Sequence, residues 1–333
     1  MSNPDINTRI LVNKYSPTGL LTLDNFKVVA APAPTKDSLK EGQILVRNLH
    51  HTVDPYQRGR LNGNTGRYVP PYTINEPITT DGVAVVEVSA NPGFVSGDLV
   101  ANPNSAWENK SVVAADAVHK LHRDDGISPR DYVTVLGMPS FTAFVGLTTI
   151  GKLKAGETIL VSSASGAVGQ MVVQLAKARG LRVIGVAGSD NKVEFKTSRN
   201  SVVSIKEAAP EGIDIYFDNV GGVFLDAALA NINAGARTIS CGVLSQMNLK
   251  PEEKYGVKNI GNILAKTATL QVVLVYNHYN TPVEIEFVDE ISVLYREGRI
   301  QYRVDETVGL ERTPQTVLNM FNGKSFGCSV VKV

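Results

Sequence analysis

The stretch that decides the fold is TILVSSASGAVGQMVVQLAKARG, residues 158–180. It starts as an apolar run typical of a buried strand and passes through a glycine turn into a segment with helical spacing. One helical face carries Val168, Val172, Leu175 and Ala176. A strand, a glycine turn and a helix in this order suit a dinucleotide, because the N–H groups at the helix start can face its pyrophosphate.

The glycine pattern of this turn is incomplete. Ala164 stands where the first glycine of the G-x-G-x-x-G fingerprint would be, while Gly166 and Gly169 are present. Glycines at strand–helix turns also serve packing alone, which is the alternative interpretation. The surrounding pattern favours a phosphate cradle at Gly166–Gly169.

The rest of the chain divides into two patterns. Before Pro139, short β-like runs such as QILVRNLH and GVAVVEV alternate with turn segments, which predicts an irregular β-rich domain. After Pro139, apolar strands alternate with helical segments, which predicts α/β structure with a parallel, doubly wound sheet. The terminal strand CSVVKV is expected to return to the first domain. We therefore predict one domain from residues 1–133 and 309–333, and a nucleotide-binding domain from 134–308.

Composition limits the classes of function. The chain has 333 residues, of which 43% are hydrophobic and 20% charged, with a net charge of +1, which describes a soluble globular protein. This charge gives no electrostatic reason to expect nucleic acid or a membrane surface as partner. No apolar run reaches the roughly 18 residues of a membrane helix. The amino terminus has no signal-peptide core, and Cys241 and Cys328 are the only cysteines, so we predict a cytoplasmic protein without a disulfide scaffold.

The end of the second strand of the nucleotide domain bears on cofactor choice. An NAD site usually places Asp or Glu there to bind the ribose 2′-hydroxyl. The segment LRVIGVAGSDNK has no such acid, and Asp190 is expected to cap the next helix. Lys192 is close enough to pair with a 2′-phosphate, which favours NADP over NAD. The alternative is a solvated surface lysine.

Several strings of the sequence carry a family resemblance. They are DPYQR (54–58), LGMPSFTAF (136–144), SASGAVGQMVVQLAKARG (163–180), AGSDNKV (187–193), GIDIYFDNVGG (212–222), CGVLSQMN (241–248) and EGRIQYR (297–303). Together they resemble the zinc-independent medium-chain dehydrogenase/reductases, in the group of leukotriene B4 12-hydroxydehydrogenase, prostaglandin reductase and plant alkenal double-bond reductases. The resemblance implies a GroES-like catalytic domain, a Rossmann domain, a substrate cleft between them and a homodimer.

The resemblance also implies roles for individual residues. The pyrophosphate of NADPH would be held by Gly166, Ala167, Val168 and Gly169, and its 2′-phosphate by Ser189 and Lys192. The nicotinamide half would be lined by Thr142, Asn219, Cys241, Gly242, Val243, Val273, Leu274 and Val275. Ser325 stands where the family has a cofactor-contacting asparagine, in Gly323-Lys324-Ser325.

The reaction implied is the reduction of a carbon–carbon double bond conjugated to an aldehyde or ketone. The hydride goes to the β-carbon and a proton to the α-carbon, and the protein orients the substrate and stabilises the oxyanion. A quinone reductase or hydroxy-fatty-acid dehydrogenase on the same scaffold is the first alternative. A weakly catalytic NADPH-binding protein is the second.

No metal site is expected. Val53 precedes the DPYQR string where zinc-dependent relatives carry a cysteine ligand. His119 and His122 have ligand-like spacing but lack a third ligand, and such pairs are usually surface residues. His50 and His51 are adjacent in a strand-like run, so their side chains point to opposite faces.

The chain departs from the family at the expected proton donor. Plant double-bond reductases carry a tyrosine in a segment like NIIYK, whereas this chain reads NILAK and has Ala265 there. Alanine donates no proton. Either another group or water protonates the enolate, or the pocket has been altered for a bulkier substrate. Tyr56, Tyr276 and Tyr279 are the alternatives by position, and Tyr56 is the catalytic candidate.

The nucleotide domain is also short. Between Gly188 and Gly212 the fold needs a helix, a strand and a second helix, and each crossover takes at least about 10 residues. About a dozen family residues are missing between Phe195 and Lys196. Either the domain is abbreviated or the natural chain contains a further segment, and we favour the second. An intact mass well above 35.8 kDa would support it.

Overall fold

The computed structural model describes residues 6–66, 68–121, 126–188 and 201–333. The strands within this part of the chain are β1 Ile6–Val12, β2 Phe26–Pro32, β3 Gln43–Val53, β4 Thr79–Ser89, β5 Leu99–Ala106, β6 Lys110–Ala114, β7 His119–Leu121, β8 Thr158–Ser162, β9 Arg182–Val186, β10 Ile213–Asp218, β11 Ile232–Ser240, β12 Thr269–Val272, β13 Val304–Val308 and β14 Cys328–Lys332. The α-helices are α1 Gln57–Arg60, α2 Met138–Val145, α3 Ala167–Ala178, α4 Ser201–Ala208, α5 Gly222–Leu229, α6 Gly261–Ala265, α7 Pro282–Arg296 and α8 Thr313–Phe321.

The chain forms two compact units. One comprises Met1–Gly137 with Val304–Val333, and the other comprises Met138–Arg303. The boundaries predicted from the sequence lie at 133/134 and 308/309. The difference at the second boundary arises from β13, which pairs in parallel with β14 and so lies in the first unit.

The first unit is built mainly from strands. Its larger sheet has the order β13-β14-β3-β4-β5-β7, with β6 paired to β3, and β1 and β2 form a separate antiparallel pair. The long strands β3 and β4 are antiparallel and supply Ile44, Val46, Ala84 and Val86 to one apolar cluster. A second cluster surrounds Trp107, which is fully buried. Burial of these apolar side chains holds the sheet together.

The second unit is a parallel sheet with helices. Its five strands among the described residues have the order β12-β11-β10-β8-β9. The central strand, TILVS, is buried along its whole length, as an apolar run covered on both faces should be. Helix α3 follows it and buries Met171, Val172, Leu175 and Ala176, largely the predicted face.

The strand order places a switch point between β8 and β10. The chain runs from β8 to β9 on one side of the sheet and returns to place β10 on the other side. The loops that follow β8 and β10 therefore diverge and leave a crevice at the carboxyl edge of the sheet, where doubly wound proteins bind ligands.

Some predictions fall on residues outside the described part of the chain. These are the assignments of Ser189, Lys192 and His122, and the missing segment between Phe195 and Lys196. Among the helices that are described, none combines the length and the apolar character required to cross a bilayer.

Candidate functional site

The turn after β8 is a tight backbone structure. Ser163 adopts a left-handed conformation with φ of 52°, and its carbonyl oxygen accepts a hydrogen bond from Gly166 N at 3.0 Å. Ala164 N donates to Val186 O of the neighbouring strand at 2.9 Å. The turn is therefore fixed to the sheet by main-chain bonds, which do not require the glycine that Ala164 replaces.

Helix α3 begins directly against this turn. A Cβ added at Gly169 would collide with the Ser163 carbonyl oxygen, and one at Gly166 would lie 3.0 Å from Ser163 Oγ. The two glycines therefore let the turn and the first helical turn approach each other backbone to backbone.

The first turn of α3 presents N–H groups that have no partner within the helix. Its first helical bond runs from Gln170 N to Gly166 O at 3.0 Å, and no side chain caps the helix. The N–H groups of Ala167, Val168 and Gly169 have no acceptor within the helix, and the helix dipole favours negative charge at this end. This arrangement fits the pyrophosphate of a dinucleotide.

The end of β10 is organised by the carboxylate of Asp218, which is fully buried. Its Oδ1 accepts hydrogen bonds from Tyr216 Oη at 2.8 Å, Val220 N at 3.0 Å and Gly221 N at 2.8 Å. Burial raises the pKa of Asp218, while the bonds from Gly221 and Tyr216 act in the opposite direction. Its Oδ2 is buried without a hydrogen-bond partner among the described residues. One side chain thus shapes the whole loop from 219 to 221.

The main chain of Asp218 also joins β10 to the loop after β11. Its carbonyl oxygen accepts bonds from Cys241 N at 2.8 Å and Gly242 N at 3.0 Å. Burial, followed by the charge of Asp218, raises the pKa of the Cys241 thiol to about 12. Cys241 is therefore a neutral thiol near physiological pH.

Asn219 connects the two sides of the switch point. Its main-chain N–H donates to Ser162 Oγ at 2.9 Å, and its Nδ2 donates to Ser162 O at 2.7 Å. The end of β8 and the end of β10 are held together by these bonds. These bonds fix the two loops relative to each other at the switch point, beside the start of α3.

Other residues assigned to the nicotinamide half lie in the same unit. Thr142 lies on α2, 6% exposed, with its hydroxyl bonded to the main chain of its own helix. Val273 and Val275 are buried just after β12, next to Leu274, whereas Val243 is 49% exposed. The loops after β8, β10, β11 and β12 thus carry most of the predicted cofactor residues at one edge of the sheet.

Two assigned residues belong to the first unit. Tyr56 is half-buried directly before α1, and Ser325 has a buried hydroxyl that lacks a partner among the described residues. The alternative tyrosines lie in the second unit. Tyr276 is 43% exposed, and the ring of Tyr279 packs 5.3 Å from that of Phe141.

The histidines do not form a metal centre in the described part of the chain. No group of three or more His, Cys, Asp or Glu residues able to hold an ion occurs there. His51 is fully buried. Burial lowers its pKa to about 3, so it is neutral in the folded protein near pH 7.

Ser162 and Asp218, which join the loops at the carboxyl edge of the sheet, were not predicted from the sequence. The available signal was the position of each at the carboxyl end of a buried apolar run, TILVS and IDIYFD. A buried polar side chain at that position must form hydrogen bonds, and the main-chain groups of the loops that leave the sheet are its nearest partners.

Comparison with known proteins supports the same assignment along the chain. A family model described as the N-terminal domain of oxidoreductase matches residues 9–121, and one described as zinc-binding dehydrogenase matches residues 167–290. An NADP(+)-dependent 2-alkenal reductase of Nicotiana tabacum is 34% identical over 98% of this chain and 97% of its own. The NADPH-dependent curcumin reductase of Escherichia coli is 35% identical over 95% of this chain and 94% of its own. The chain belongs to the medium-chain dehydrogenase/reductase family.

The solved structures agree with this membership. CurA from Vibrio vulnificus, crystallised in complex with NADPH, has a TM-score of 0.89 and 30% identity, covering 98% of this chain and 99% of its own. The predicted fold class and family are therefore confirmed. In this medium-chain dehydrogenase/reductase the first unit corresponds to the GroES-like domain and the second to the Rossmann domain.

Proposed function

We propose that this protein is an NADPH-dependent reductase of carbon–carbon double bonds conjugated to an aldehyde or ketone. The observation that carries the proposal is the full-length similarity to a 2-alkenal reductase, together with the glycine cradle at the start of α3. NADPH, when bound, supplies the hydride that is added to the β-carbon.

The chain's own residues would hold and orient the cofactor. The N–H groups of Ala167–Gly169 would bind the pyrophosphate, and Lys192 with Ser189 would bind the 2′-phosphate. The residues around the nicotinamide half would be Thr142, Asn219, Cys241, Gly242, Val243, Val273, Leu274 and Val275, with Ser325 contributing a hydroxyl. The neutral thiol of Cys241 and the buried valines offer an uncharged surface.

Tyr56 is proposed to hydrogen-bond to the substrate oxygen. Hydride addition turns the carbonyl oxygen into an enolate, and a phenol stabilises that charge by donating a hydrogen bond without ionising. The half-buried position of Tyr56 at the start of α1 agrees with this role. Tyr56→Phe is expected to lower kcat/KM at least tenfold while leaving the affinity for NADPH unchanged.

The activity is tested with purified protein, NADPH and a panel of 2-alkenals, enones and quinones. A saturated carbonyl product identified by mass spectrometry supports the proposal. A hydroquinone would identify a quinone reductase, and oxidation of hydroxy fatty acids would identify a dehydrogenase on this scaffold. NADPH binding by fluorescence titration without turnover on the whole panel would identify a weakly catalytic binding protein.

We further propose that catalysis is independent of zinc, because Val53 stands at the position of the expected ligand. Prolonged dialysis against a chelator should leave the rate unchanged, and a rate restored only by added zinc would contradict this. We also propose a cytoplasmic location, which fractionation of the source cells would test.

A further inference from the structure

The segment that leads from α7 to β13 is held along helix α3 by two glutamine side chains. Gln170 Oε1 accepts a hydrogen bond from Arg303 N at 2.8 Å, and Gln170 Nε2 donates to Arg303 O at 3.1 Å. Gln174 forms the same two bonds with Gln301, at 2.9 Å and 2.8 Å. We call Gln170, Gln174 and residues 301–303 the glutamine clamp. It lies wholly within the second unit, which ends at Arg303.

The two glutamines suit this segment because the spacing of the helix matches that of an extended chain. Residues four apart on a helix share a face and lie about 6 Å apart along its axis. In an extended chain, the N–H and C=O groups of residues two apart point the same way and lie about 6.6 Å apart. Gln174 Nε2 also donates to Gln170 O at 3.0 Å, which fixes the orientation of that amide. The clamp therefore holds the segment in one register along α3.

Tyr302 lies between the two clamped residues and contacts the first turn of α3. It is half-buried, and its hydroxyl donates a hydrogen bond to Ala167 O at 3.1 Å. The peptide that carries this oxygen also carries the N–H group of Val168. That N–H is one of the three in the first turn that have no acceptor within the helix. The clamp is therefore joined directly to a main-chain group of the glycine cradle.

The bond from Tyr302 acts on the donor strength and the orientation of this peptide. A hydrogen bond to a peptide oxygen polarises the peptide, so that its N–H becomes a stronger donor. The Tyr302 hydroxyl and an anion in front of Val168 N–H would thus bind opposite ends of one peptide. Each of these two contacts strengthens the other and limits the rotation of the peptide.

We propose that Tyr302 is a positioning residue for NADPH, which acts through the Ala167–Val168 peptide and is kept in place by the glutamine clamp. The inference rests on the proposed function, in which the cradle at the start of α3 binds the pyrophosphate. Because the two contacts strengthen each other, NADPH binding and clamp formation must affect each other by the same factor. Binding of NADPH tightens the clamp, and damage to the clamp weakens the binding of NADPH.

Gln174 offers the sharpest test, because it lies too far from the cradle to touch the pyrophosphate. It follows Val168 by about 9 Å along the axis of α3. Gln174→Met keeps the length of the side chain and removes both bonds to Gln301. The Kd for NADPH, measured by fluorescence titration, should rise about fivefold or more. At saturating NADPH, kcat should stay within about twofold of wild type, because the reacting groups are unchanged.

Tyr302→Phe tests the bond to the cradle itself, since it removes one hydroxyl and keeps the ring. It should also raise the Kd for NADPH about fivefold. The double variant with Gln174→Met should bind no more weakly than the weaker single variant, because both changes break the same connection. Gln315→Met is the matched control: Gln315 is exposed on α8 and bonds only to Asn319 of its own helix among the printed contacts of the described residues, so wild-type affinity is expected.

A second readout follows the clamp without any measurement of activity. The main-chain N–H groups of Gln301 and Arg303 are donors in the clamp, so their exchange with deuterium reports its opening. In wild type, saturating NADPH should slow the exchange of a peptide covering residues 301–303 about fivefold, the same factor as the change in affinity. This slowing should be largely absent in Tyr302→Phe.

Wild-type affinity for NADPH in either Gln174→Met or Tyr302→Phe would overturn the positioning role, even with a loss of stability in urea, because the contact would then be purely structural. Exchange of residues 301–303 that NADPH leaves unchanged would also overturn it. Failure of the proposed function gives a different result. Wild-type protein that does not bind NADPH, or whose binding is unaffected by Gly169→Ala, would contradict the cradle itself.

Discussion

At the scale of single residues, Gly169 lies so close to the main chain of Ser163 that there is no room for a side chain. It lies in the first turn of a helix, where alanine has the better intrinsic propensity. Its missing Cβ nevertheless allows the helix to meet the carbonyl oxygen of Ser163. The contact outweighs the propensity, since overpacking typically costs about 1–3 kcal/mol.

Gly169→Ala is therefore expected to lower the free energy of unfolding by about 1–3 kcal/mol and to weaken NADPH binding at least tenfold. Urea unfolding and fluorescence titration measure the two effects. Gly256→Ala is the matched control, because nothing lies within 4 Å of a Cβ at that position. Equal behaviour of the two variants would show that the Gly169 contact is unimportant.

His51 makes a second residue-scale prediction, which concerns pH. Its pKa is about 3 in the folded protein and near 6.5 when unfolded, so only the unfolded state binds the proton between these values. Stability should therefore fall as the pH falls below 6.5. The raised pKa values of Asp54 and Asp81 act in the opposite sense, because there the folded state holds the extra protons.

Comparison of wild type with His51→Gln isolates the histidine, since the aspartates are the same in both proteins. Between pH 7 and pH 5, wild type should lose roughly 2 kcal/mol more of its free energy of unfolding than the variant loses. Urea titrations at the two pH values measure this difference. Equal losses would mean that His51 is protonated in the folded state.

At the scale of elements, the crevice depends on how β8, β10 and β11 end. The side chain of Asp218 holds the loop after β10, and its main chain holds the loop after β11. Asn219 then ties β10 to Ser162 of β8. The geometry of three loops is thus coupled through two neighbouring residues.

Asp218→Ala should disturb all three loops. We expect a loss of roughly 3 kcal/mol in the free energy of unfolding and at least a tenfold loss of NADPH affinity, because buried N–H groups lose their acceptor. Asp218→Asn keeps an oxygen acceptor and should be clearly milder in both measurements. An Asn variant as damaging as the Ala variant would indicate that charge, not the acceptor, is what the loop requires.

At the scale of the whole molecule, the described sheet of the second unit ends in β12. All four residues of this strand are exposed, including Val272 at 63%, and nearby Leu264 is 86% exposed. An unpaired, apolar strand edge invites pairing with another chain. Two copies paired antiparallel through the same strand would form an isologous dimer.

We accordingly expect a homodimer, with β12 in its interface. Light scattering after size-exclusion chromatography should give twice the mass of the chain for wild type and a shift toward monomer for Val272→Lys. Val95→Lys is the control, since Val95 is similarly exposed at 62% but lies in the first unit. A monomeric wild-type protein would contradict the predicted homodimer.

The sequence alone determined the fold class, the glycine turn between a buried strand and a helix, and the family, because each depends on local periodicity or on strings of adjacent residues. The alternation of apolar strands with helices fixes a parallel sheet whatever its detailed packing. Only the tertiary structure revealed the close approach of Gly169 to Ser163, the bonds around Asp218 and the pairing of β13 in the first unit. These features depend on strand register and burial. Register brings Ser162 and Asp218, 56 positions apart, into contact and joins β13 to β14. No local sequence pattern encodes such distances.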